Sequence, residues 1–444
     1  MTTADKTQEP AVHDSKDVVS SRGGVFVVAD DFTGACDTGI VFREAGQPVT
    51  VSLNGEAAWE RGYGQGVVQV KLTDTRKHQL VEATRRARAA VAGLDAEEDM
   101  PARVYQKIDS TMRGNVGAEI NAILHALQRD VAVVCPAFPG VHRTVEGGRL
   151  MVEGIPISQT DYARDPRNPV SSDMLKEIVE STSEELHVIH ATSEELPKTL
   201  AQANGLGYRT AVTVDAATDL ELEQIAQILQ RFPTVVPVGS AGLARPLARL
   251  WAPSPQTTLT PPDRPSIKQT IVACGSANPR SLQQVELLEA SEPSLNIVRI
   301  NPRMLTHENQ ASAEMERAES RICALLREDK ILAIALMDDR MEELPYRGTF
   351  ESFVADLVKR AVDASRLNPR EIAVIVAGAD TCLSVCERIG AETLYPQEEV
   401  VTGIPWSISK DGYNIISKAG GFGNDDALIQ SVRYITNANN RLIR

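Results

Sequence analysis

Aromatic residues are scarce, 4% of the 444 positions, so the core has to be assembled from aliphatic side chains. Positive charge is also in deficit. Lys and Arg total 46 against 60 Asp and Glu, a formal net charge of −14. That balance excludes nucleic acid or an anionic membrane as the main partner, while leaving room for a local cationic pocket. No apolar run approaches membrane-spanning length. The six cysteines (Cys36, Cys135, Cys274, Cys323, Cys382 and Cys386) contain no C-x-x-C pair. Cys382 and Cys386 stand four apart on a predicted helix without a second ligand pair, so buried free thiols in a reducing cytoplasm are expected. No two histidines have ligand spacing, and no metal ligands are assigned. Neither a G-x-x-x-x-G-K-[ST] loop nor a G-x-G-x-x-G fingerprint occurs. Residues 1–22 are polar and acidic, lack the apolar core of a signal peptide, and are expected to form a disordered tail.

What is present is an alternation of short apolar runs, polar loops and helical periodicities. The stretch on which the rest is organised is Val25-Phe26-Val27-Val28-Ala29 followed by Asp30-Asp31-Phe32-Thr33-Gly34. An apolar run that stops at two carboxylates predicts a buried parallel strand whose carboxyl end carries Asp30 and Asp31. A helix closing at Gly46 follows. Further strands are predicted over 48–53, 66–72, 103–108, 131–135, 187–190, 210–214 and 235–238, with helices over 79–91 and through Ile120, Ile123, Leu124 and Leu127. Residues 144–173 break the pattern and are too long for a structureless loop. Five prolines between Ala252 and Ser266 mark a linker, after which strands are predicted over 270–274, 297–300, 331–336, 372–376 and 414–417. The reading is an α/β chain of two domains with largely parallel sheets: 23–252 and 269–444, joined by the Pro-rich linker 253–268.

Three strand ends of the first domain converge in residue type: Asp30 and Asp31; Arg76; and Lys107, Asp109, Ser110 and Arg113. Taken alone, an Asp-Asp pair is a helix cap plus a solvated carboxylate, and each basic residue is a surface charge. Their recurrence on one sheet edge points instead to a pocket for a small polyhydroxy acid. Arg and Lys would hold a carboxylate, Asp and Ser would bond hydroxyls, and one Asp would act as a base. The second domain has three glycine-bearing junctions: Gly275-Ser276-Ala277-Asn278-Pro279, Gly378-Ala379-Asp380-Thr381, and Lys418-Ala419-Gly420-Gly421-Phe422-Gly423. Each is accounted for by turn and capping chemistry; together they suit phosphate oxygens at helix N-termini.

These motifs, with Asp37, Lys107-Ile108-Asp109-Ser110-Thr111, Arg113-Gly114-Asn115, Pro136-Ala137-Phe138-Pro139 and Gly239-Ser240-Ala241-Gly242-Leu243, resemble the four-carbon acid sugar kinase family. The resemblance runs from about Gly24 to the C-terminus, in order. Asp37-Thr38-Gly39, the Arg113 motif and Ala163-Arg164-Asp165-Pro166 are similar to the D-threonate kinase branch. Thr75 stands before Arg76 where Ser is usual, and Ala379 where a second Gly is common.

The resemblance implies an N-terminal domain that binds the acid sugar and a C-terminal domain that binds ATP. Substrate contacts are implied for Asp30, Asp31, Arg76, Lys107, Ile108, Asp109 and Ser110, with Arg113 beside them, and nucleotide contacts for Ser276, Gly378, Ala379, Asp380, Thr381 and Gly421. The expected catalytic carboxylates are Asp30 and Asp31. Expected cofactors are ATP and Mg2+, the expected partners are small molecules, and a homodimer is compatible with the chain. The activity expected is phosphorylation of D-threonate, with another tetronate or 3-oxo-tetronate as the alternative acceptor. A non-catalytic acid and nucleotide sensor, or a metal-dependent lyase, are the alternatives from other classes.

Overall fold

The computed structural model of the protein describes residues 24–57, 59, 67–94, 102–165, 168–252, 265–276, 278–326, 330–336 and 347–436. The expected tail 1–22, the linker prolines Pro253, Pro255, Pro261 and Pro262, and Pro166 and Ala277 lie outside the described residues.

In the N-terminal half, chain order is β1 (Val25–Ala29), α1 (Phe32–Glu44), β2 (Val49–Ser52), β3 (Val68–Leu72), α2 (Leu80–Ala90), β4 (Arg103–Lys107), α3 (Val116–Ala126) and β5 (Val131–Cys135). Then come β6 (Arg143–Glu146), β7 (Arg149–Val152), β8 (Ile155–Pro156), α4 (Leu175–Glu180), β9 (His187–Ala191), α5 (Leu196–Ala203), β10 (Thr210–Val214), α6 (Asp219–Leu229), β11 (Val236–Gly239) and α7 (Ala241–Trp251). The C-terminal half runs β12 (Gln269–Cys274), α8 (Pro279–Ser291), β13 (Leu295–Ile300), α9 (Glu308–Leu325), β14 (Ile331–Leu336), α10 (Arg347–Ser365) and β15 (Ile372–Ala377). It ends with α11 (Ala379–Ile389), β16 (Thr393–Val401), β17 (Ile404–Ser409), β18 (Asn414–Lys418) and α12 (Ala427–Thr436).

The parallel strands form because they are nearly continuous apolar runs that helices can cover on both faces. Val131–Cys135, Ile331–Leu336 and Ile372–Ala377 are buried at every residue. In the N-terminal half the spatial order is β2-β3-β1-β4-β11-β5-β10-β9, all parallel. The chain leaves β1 toward β2 on one side and β4 toward β5 on the other, so the sheet reverses its winding between β1 and β4. Open α/β sheets bind ligands at such a crevice. The irregular stretch after β5 contains β6, β7 and β8, a small antiparallel sheet beside the main one.

The two parallel sheets are not separate. A hairpin of β16 and β17 pairs with β18 on one side and with β2 on the other, giving one fifteen-stranded sheet among the described residues. The seam is short: Thr393 pairs with Ser52, Leu394 with Val51, and the Leu53 N–H donates to the Glu392 carbonyl at 2.9 Å. Neither hairpin strand is among those predicted, because Pro396, Pro405, Glu398 and Glu399 mark the segment as a loop. Within a strand, proline removes a ladder donor, and the pairing slips in register just after Pro396.

Three antiparallel steps make the parallel strands of the two halves run in opposite directions along the sheet. From β1 to β12 there are seven strand-to-strand steps. At roughly 20–25° of twist per step the rotation accumulates to roughly 150°, which turns the two carboxyl ends back toward the same side. The contacts agree. Helix α1 packs against α11 and β18, and Asp74 after β3 lies within electrostatic reach of Asp380 after β15.

Trp406 is fully buried in the hairpin, donates from Nε1 to Asn414 Oδ1 at 3.2 Å and meets the Tyr434 ring edge-on. Trp406→Ala should destabilise the C-terminal half by about 3–5 kcal/mol. Urea unfolding followed by far-UV circular dichroism checks this.

Candidate functional site

At the end of β1 the backbone turns into α1 with Asp31 as N-cap: its Oδ1 accepts the Gly34 N–H at 2.9 Å and its Oδ2 the Thr33 hydroxyl at 2.9 Å. A Cβ at Gly34 would lie 2.5 Å from Asp31 Oδ1 and 2.8 Å from Lys107 Nζ, so glycine is what lets both side chains hold these positions. Arg76 arrives from the turn after β3. It donates from Nε to Asp30 Oδ2 and from Nη2 to Asp30 Oδ1, each at 2.9 Å, and from Nη1 to Asp31 Oδ2 at 2.9 Å. One guanidinium therefore braces both carboxylates with three of its five N–H donors. The turn is fixed in its own right. Asp74 sits at φ 54°, and the Asn115 amide donates to the carbonyls of Thr75 at 3.2 Å and His78 at 3.0 Å.

The two aspartates are shifted in opposite directions. Burial raises Asp30, the charge of Asp31 adds to it, and Arg76 only partly offsets them. Burial acts on Asp31 too, but there Arg76 and Lys107 prevail and hold it below the usual carboxylate range. Asp31 is the more exposed of the two.

Lys107 ends β4, alongside β1. Its Nζ donates to the Ile108 carbonyl at 2.9 Å, and its charge acts on Asp30, Asp31 and Asp37. Ile108 itself is a core residue that contributes backbone, its N–H bonding the Gly239 carbonyl at 2.9 Å. Ser110 is buried beside it. Asp109 accepts Arg113 Nε at 2.5 Å and the Thr111 hydroxyl. Burial would raise Asp109, but Arg113 and Arg76 outweigh it and hold the carboxyl well below its usual range. Arg113 continues to Asp165 at 3.1 Å and lies over the Tyr162 ring, tying the segment after β8 to the strand end.

In the C-terminal half the three glycine junctions meet. A Cβ on Gly275 would lie 2.1 Å from Thr381 Oγ1, and one on Gly420 would lie 2.4 Å from Ser276 Oγ. Gly378, at φ 112°, is the N-cap of α11, which places Ala379, Asp380 and Thr381 in its first turn. Gly421 is exposed at the rim, next to Asn278.

Lys418, quoted at the head of the third junction, was given no role from the sequence. It is fully buried, and burial pulls its ammonium down to about 8. Its Nζ donates to the carbonyls of Ala419 and Gly420 at 2.9 Å and of Phe422 at 3.1 Å, while Gln284 Nε2 donates to the Asn424 carbonyl at 2.7 Å. In a trans peptide the next N–H points opposite to the carbonyl. Carbonyls drawn inward thus turn the N–H groups of Gly420, Gly421 and Gly423 outward, the arrangement that receives an anion. A lysine ending a strand directly before a Gly-Gly pair was the available signal.

Asp37, one helical turn past Gly34, was quoted in the motif but given no role. Burial pushes it up to about 6, against Lys107 and Arg245 and with Glu399, and its Oδ1 has no partner among the described residues.

Arg76→Ala leaves two buried carboxylates without their cation and should cost about 3–5 kcal/mol at neutral pH. The loss should shrink as the medium is acidified toward about pH 5, because protonation discharges the stranded pair. Urea denaturation of both chains across that range measures it.

A family model described as a sugar-binding N-terminal domain matches residues 25–247, and one described as a nucleotide-binding C-terminal domain matches residues 271–428. The chain is 30% identical to a D-threonate kinase of Bordetella bronchiseptica and 29% identical to a D-threonate kinase of Salmonella typhimurium, each over 93% of this chain and 98% of the relative. A solved Salmonella typhimurium structure superposes with TM-score 0.72 at 24% identity, over 93% of this chain and 99% of that one, which shows a common fold.

Proposed function

This chain belongs to the four-carbon acid sugar kinase family, and from that premise we propose that it transfers the γ-phosphoryl group of ATP to a hydroxyl of a four-carbon sugar acid, D-threonate first among them. The observation that carries the reading is the Asp30–Asp31–Arg76 cluster beside Lys107 at the reversal point of the sheet. It offers acceptors for hydroxyls and donors for a carboxylate within one crevice.

In the proposed reaction, Lys107 and the remaining N–H donors of Arg76 hold the acid's carboxylate. Asp31 accepts the hydrogen bond of the reacting hydroxyl. The hydroxyl oxygen bonds to the γ-phosphorus, the bond from that phosphorus to the β–γ bridging oxygen breaks, ADP leaves, and the hydroxyl proton passes to Asp31. Arg76 lowers the basicity of Asp31, which suits phosphoryl transfer: its loose transition state needs an oriented hydroxyl more than a strong base. The outward N–H groups around Gly421, with Ser276 and the first turn of α11, would receive the nucleotide's phosphates.

Among the described residues no group of three or more His, Cys, Asp or Glu side chains could form a metal cage. Mg2+ would accordingly be held mainly by the phosphates of ATP and by water, which is its usual mode in kinases, and would neutralise their charge. No described helix is long and apolar enough to cross a membrane. All six cysteines are free, which fits a cytoplasmic place of action as part of this proposal.

A coupled ADP-release assay over the tetronic and 3-oxo-tetronic acids tests the reading. Turnover is expected with D-threonate preferred; no turnover on any of them would remove the substrate class, and ATP binding without product would favour a sensor. Lys107→Gln should raise KM for the acid about tenfold or more, through loss of a charge-assisted contact, with KM for ATP little changed. Gly421→Val should do the reverse, since the position has room for a side chain within the protein but none beside a phosphate. If Lys107→Gln weakened ATP alone, the division of labour between the halves would be wrong.

A further inference from the structure

Two side-chain atoms near Lys107 are shut away from solvent and have no hydrogen-bond partner among the described residues: Asp37 Oδ1 and Arg245 Nε. One is an acceptor and the other a donor. They border a single space. Its floor is the face of β4 that carries Tyr105 and Lys107, since residues two apart in a strand point the same way. The Tyr105 hydroxyl donates to the carbonyl of Ser240, the N-cap of α7, at 2.5 Å. Lys107 Nζ lies against Gly34 of α1, 2.8 Å from where a Cβ would stand. The floor thus meets both helices, which pack on each other. Asp37, 9% exposed, follows Gly34 by three residues and so shares its side of α1. Arg245 stands in the second turn of α7 with its guanidinium over the Phe138 ring, 5.8 Å from the centroid. Its Nη2 is 3.7 Å from Glu399 Oε1, too long for a hydrogen bond. Lys107, Glu399, Arg245 and Asp31 are the charged groups acting on Asp37.

A buried acceptor and a buried donor that border one space without bonding each other leave room for a group that can serve both. A hydroxyl is such a group, because its oxygen gives one proton and accepts another. A carboxylate or phosphate oxygen has nothing to give Asp37, and an ammonium cannot accept from Arg245. We propose that Asp37 and Arg245 read one hydroxyl of the sugar acid, the one on the carbon bonded to the carboxylate: that hydroxyl donates to Asp37 Oδ1 and accepts from Arg245 Nε. The assignment rests on the kinase reading above, in which Lys107 holds the carboxylate. A carboxylate at Lys107 brings the adjacent hydroxyl, rather than the terminal one, to the residues that share the Lys107 pocket. Asp31 stands six residues before Asp37, about 9 Å along α1, at the open end of the helix. The two side chains therefore address different ends of a four-carbon chain, Asp37 the carboxylate end and Asp31 the reacting end.

The energetics separate this role from a structural one. A buried carboxylate oxygen without a partner opposes folding. Burial pushes Asp37 up to about 6, so the stability linked to its proton is complete below the unfolded value and lost as pH rises through about 6. At neutral pH the charged side chain therefore costs the fold stability, and polar groups left in that condition mark binding sites. Asparagine in its place removes the charge and keeps the shape.

Calorimetric titration with D-threonate and with its 2-deoxy analogue, 3,4-dihydroxybutanoate, tests the assignment, with steady-state kinetics alongside. Wild type should prefer D-threonate about a hundredfold or more, because the analogue strands both polar atoms. Asp37→Ala and Arg245→Met should each reduce that preference to about tenfold or less, by weakening D-threonate while the analogue and KM for ATP change little. Arg245→Met keeps an apolar stem over Phe138 and tests the pair even if Asp37→Ala fails to fold. In urea, Asp37→Asn should unfold at the wild-type midpoint or above it. Equal affinity of wild type for the two acids, an undiminished preference in either folded variant, or an Asp37→Asn midpoint that drops while acid binding holds would overturn the proposal. Binding is read without turnover. If wild type prefers D-threonate but transfers no phosphate to it, the kinase reading fails and the hydroxyl assignment stands; turnover with equal affinity for the two acids removes the assignment alone.

Discussion

One guanidinium held between two adjacent aspartates is the constraint from which the N-terminal half follows. Asp30 and Asp31 emerge at the end of a buried parallel strand, where neither carboxylate has enough water to stay charged alone. A cation must come from the neighbouring strand, and β3 is that neighbour, paired in register through Ala29 and Leu72. Arg76 reaches both carboxylates only because the chain turns sharply after β3. That turn depends on the left-handed Asp74, on the Asn115 amide holding two of its carbonyls, and on Gly114, where a Cβ would crowd Arg76 Cγ at 3.3 Å. Residues far apart in the chain thus serve one ion cluster, and the cluster in turn sets where Asp31 presents its carboxylate.

The C-terminal half solves a different problem with a different buried cation. Lys418 faces no carboxylate among its hydrogen-bond partners; it draws in three peptide carbonyls and the Ser281 hydroxyl. An ammonium surrounded by neutral acceptors orients peptide dipoles without neutralising itself. It therefore adds positive potential behind a loop whose N–H groups face outward. The two halves are matched in chemistry. One presents paired carboxylates and a lysine, suited to hydroxyls and an acid group, and the other presents peptide N–H groups backed by positive charge.

Much of this was legible in the sequence because parallel strands covered on both faces read as uninterrupted apolar runs, and the polar residue that ends each run marks a strand end. Asp30, Arg76 and Lys107 were found in that way. The hairpin of β16 and β17 was not, because Pro396, Pro405 and two glutamates carry none of that pattern, yet it makes the two sheets one. Nor was the pairing of Arg76 with Asp30 and Asp31 legible. The sequence shows complementary charges at three strand ends, but whether they bind a ligand or one another depends on distances across the sheet. Glu119 was invisible for a related reason: an acidic residue in the first turn of a helix is ordinarily a dipole partner at the surface. In the structure it is buried and meets Gln106 of β4 instead.

The seam between the halves couples these features. Only two residue pairs of β16 and β2 close the sheet, but β16 is also pinned to helices of the other half. Arg43 of α1 donates to the carbonyl of Gln397 at 2.8 Å, and Arg245 of α7 lies 3.7 Å from Glu399. Helix α1 begins at Asp31 and carries Asp37, whose buried carboxylate lies in the combined field of Lys107, Glu399 and Arg245. Any shift of the C-terminal half against the N-terminal half must move Glu399 and Gln397, and must therefore act on the helix whose first residues shape the crevice. The β16 seam therefore ties the helix that shapes the crevice to the C-terminal half by hydrogen bonds and packing as well as by strand pairing.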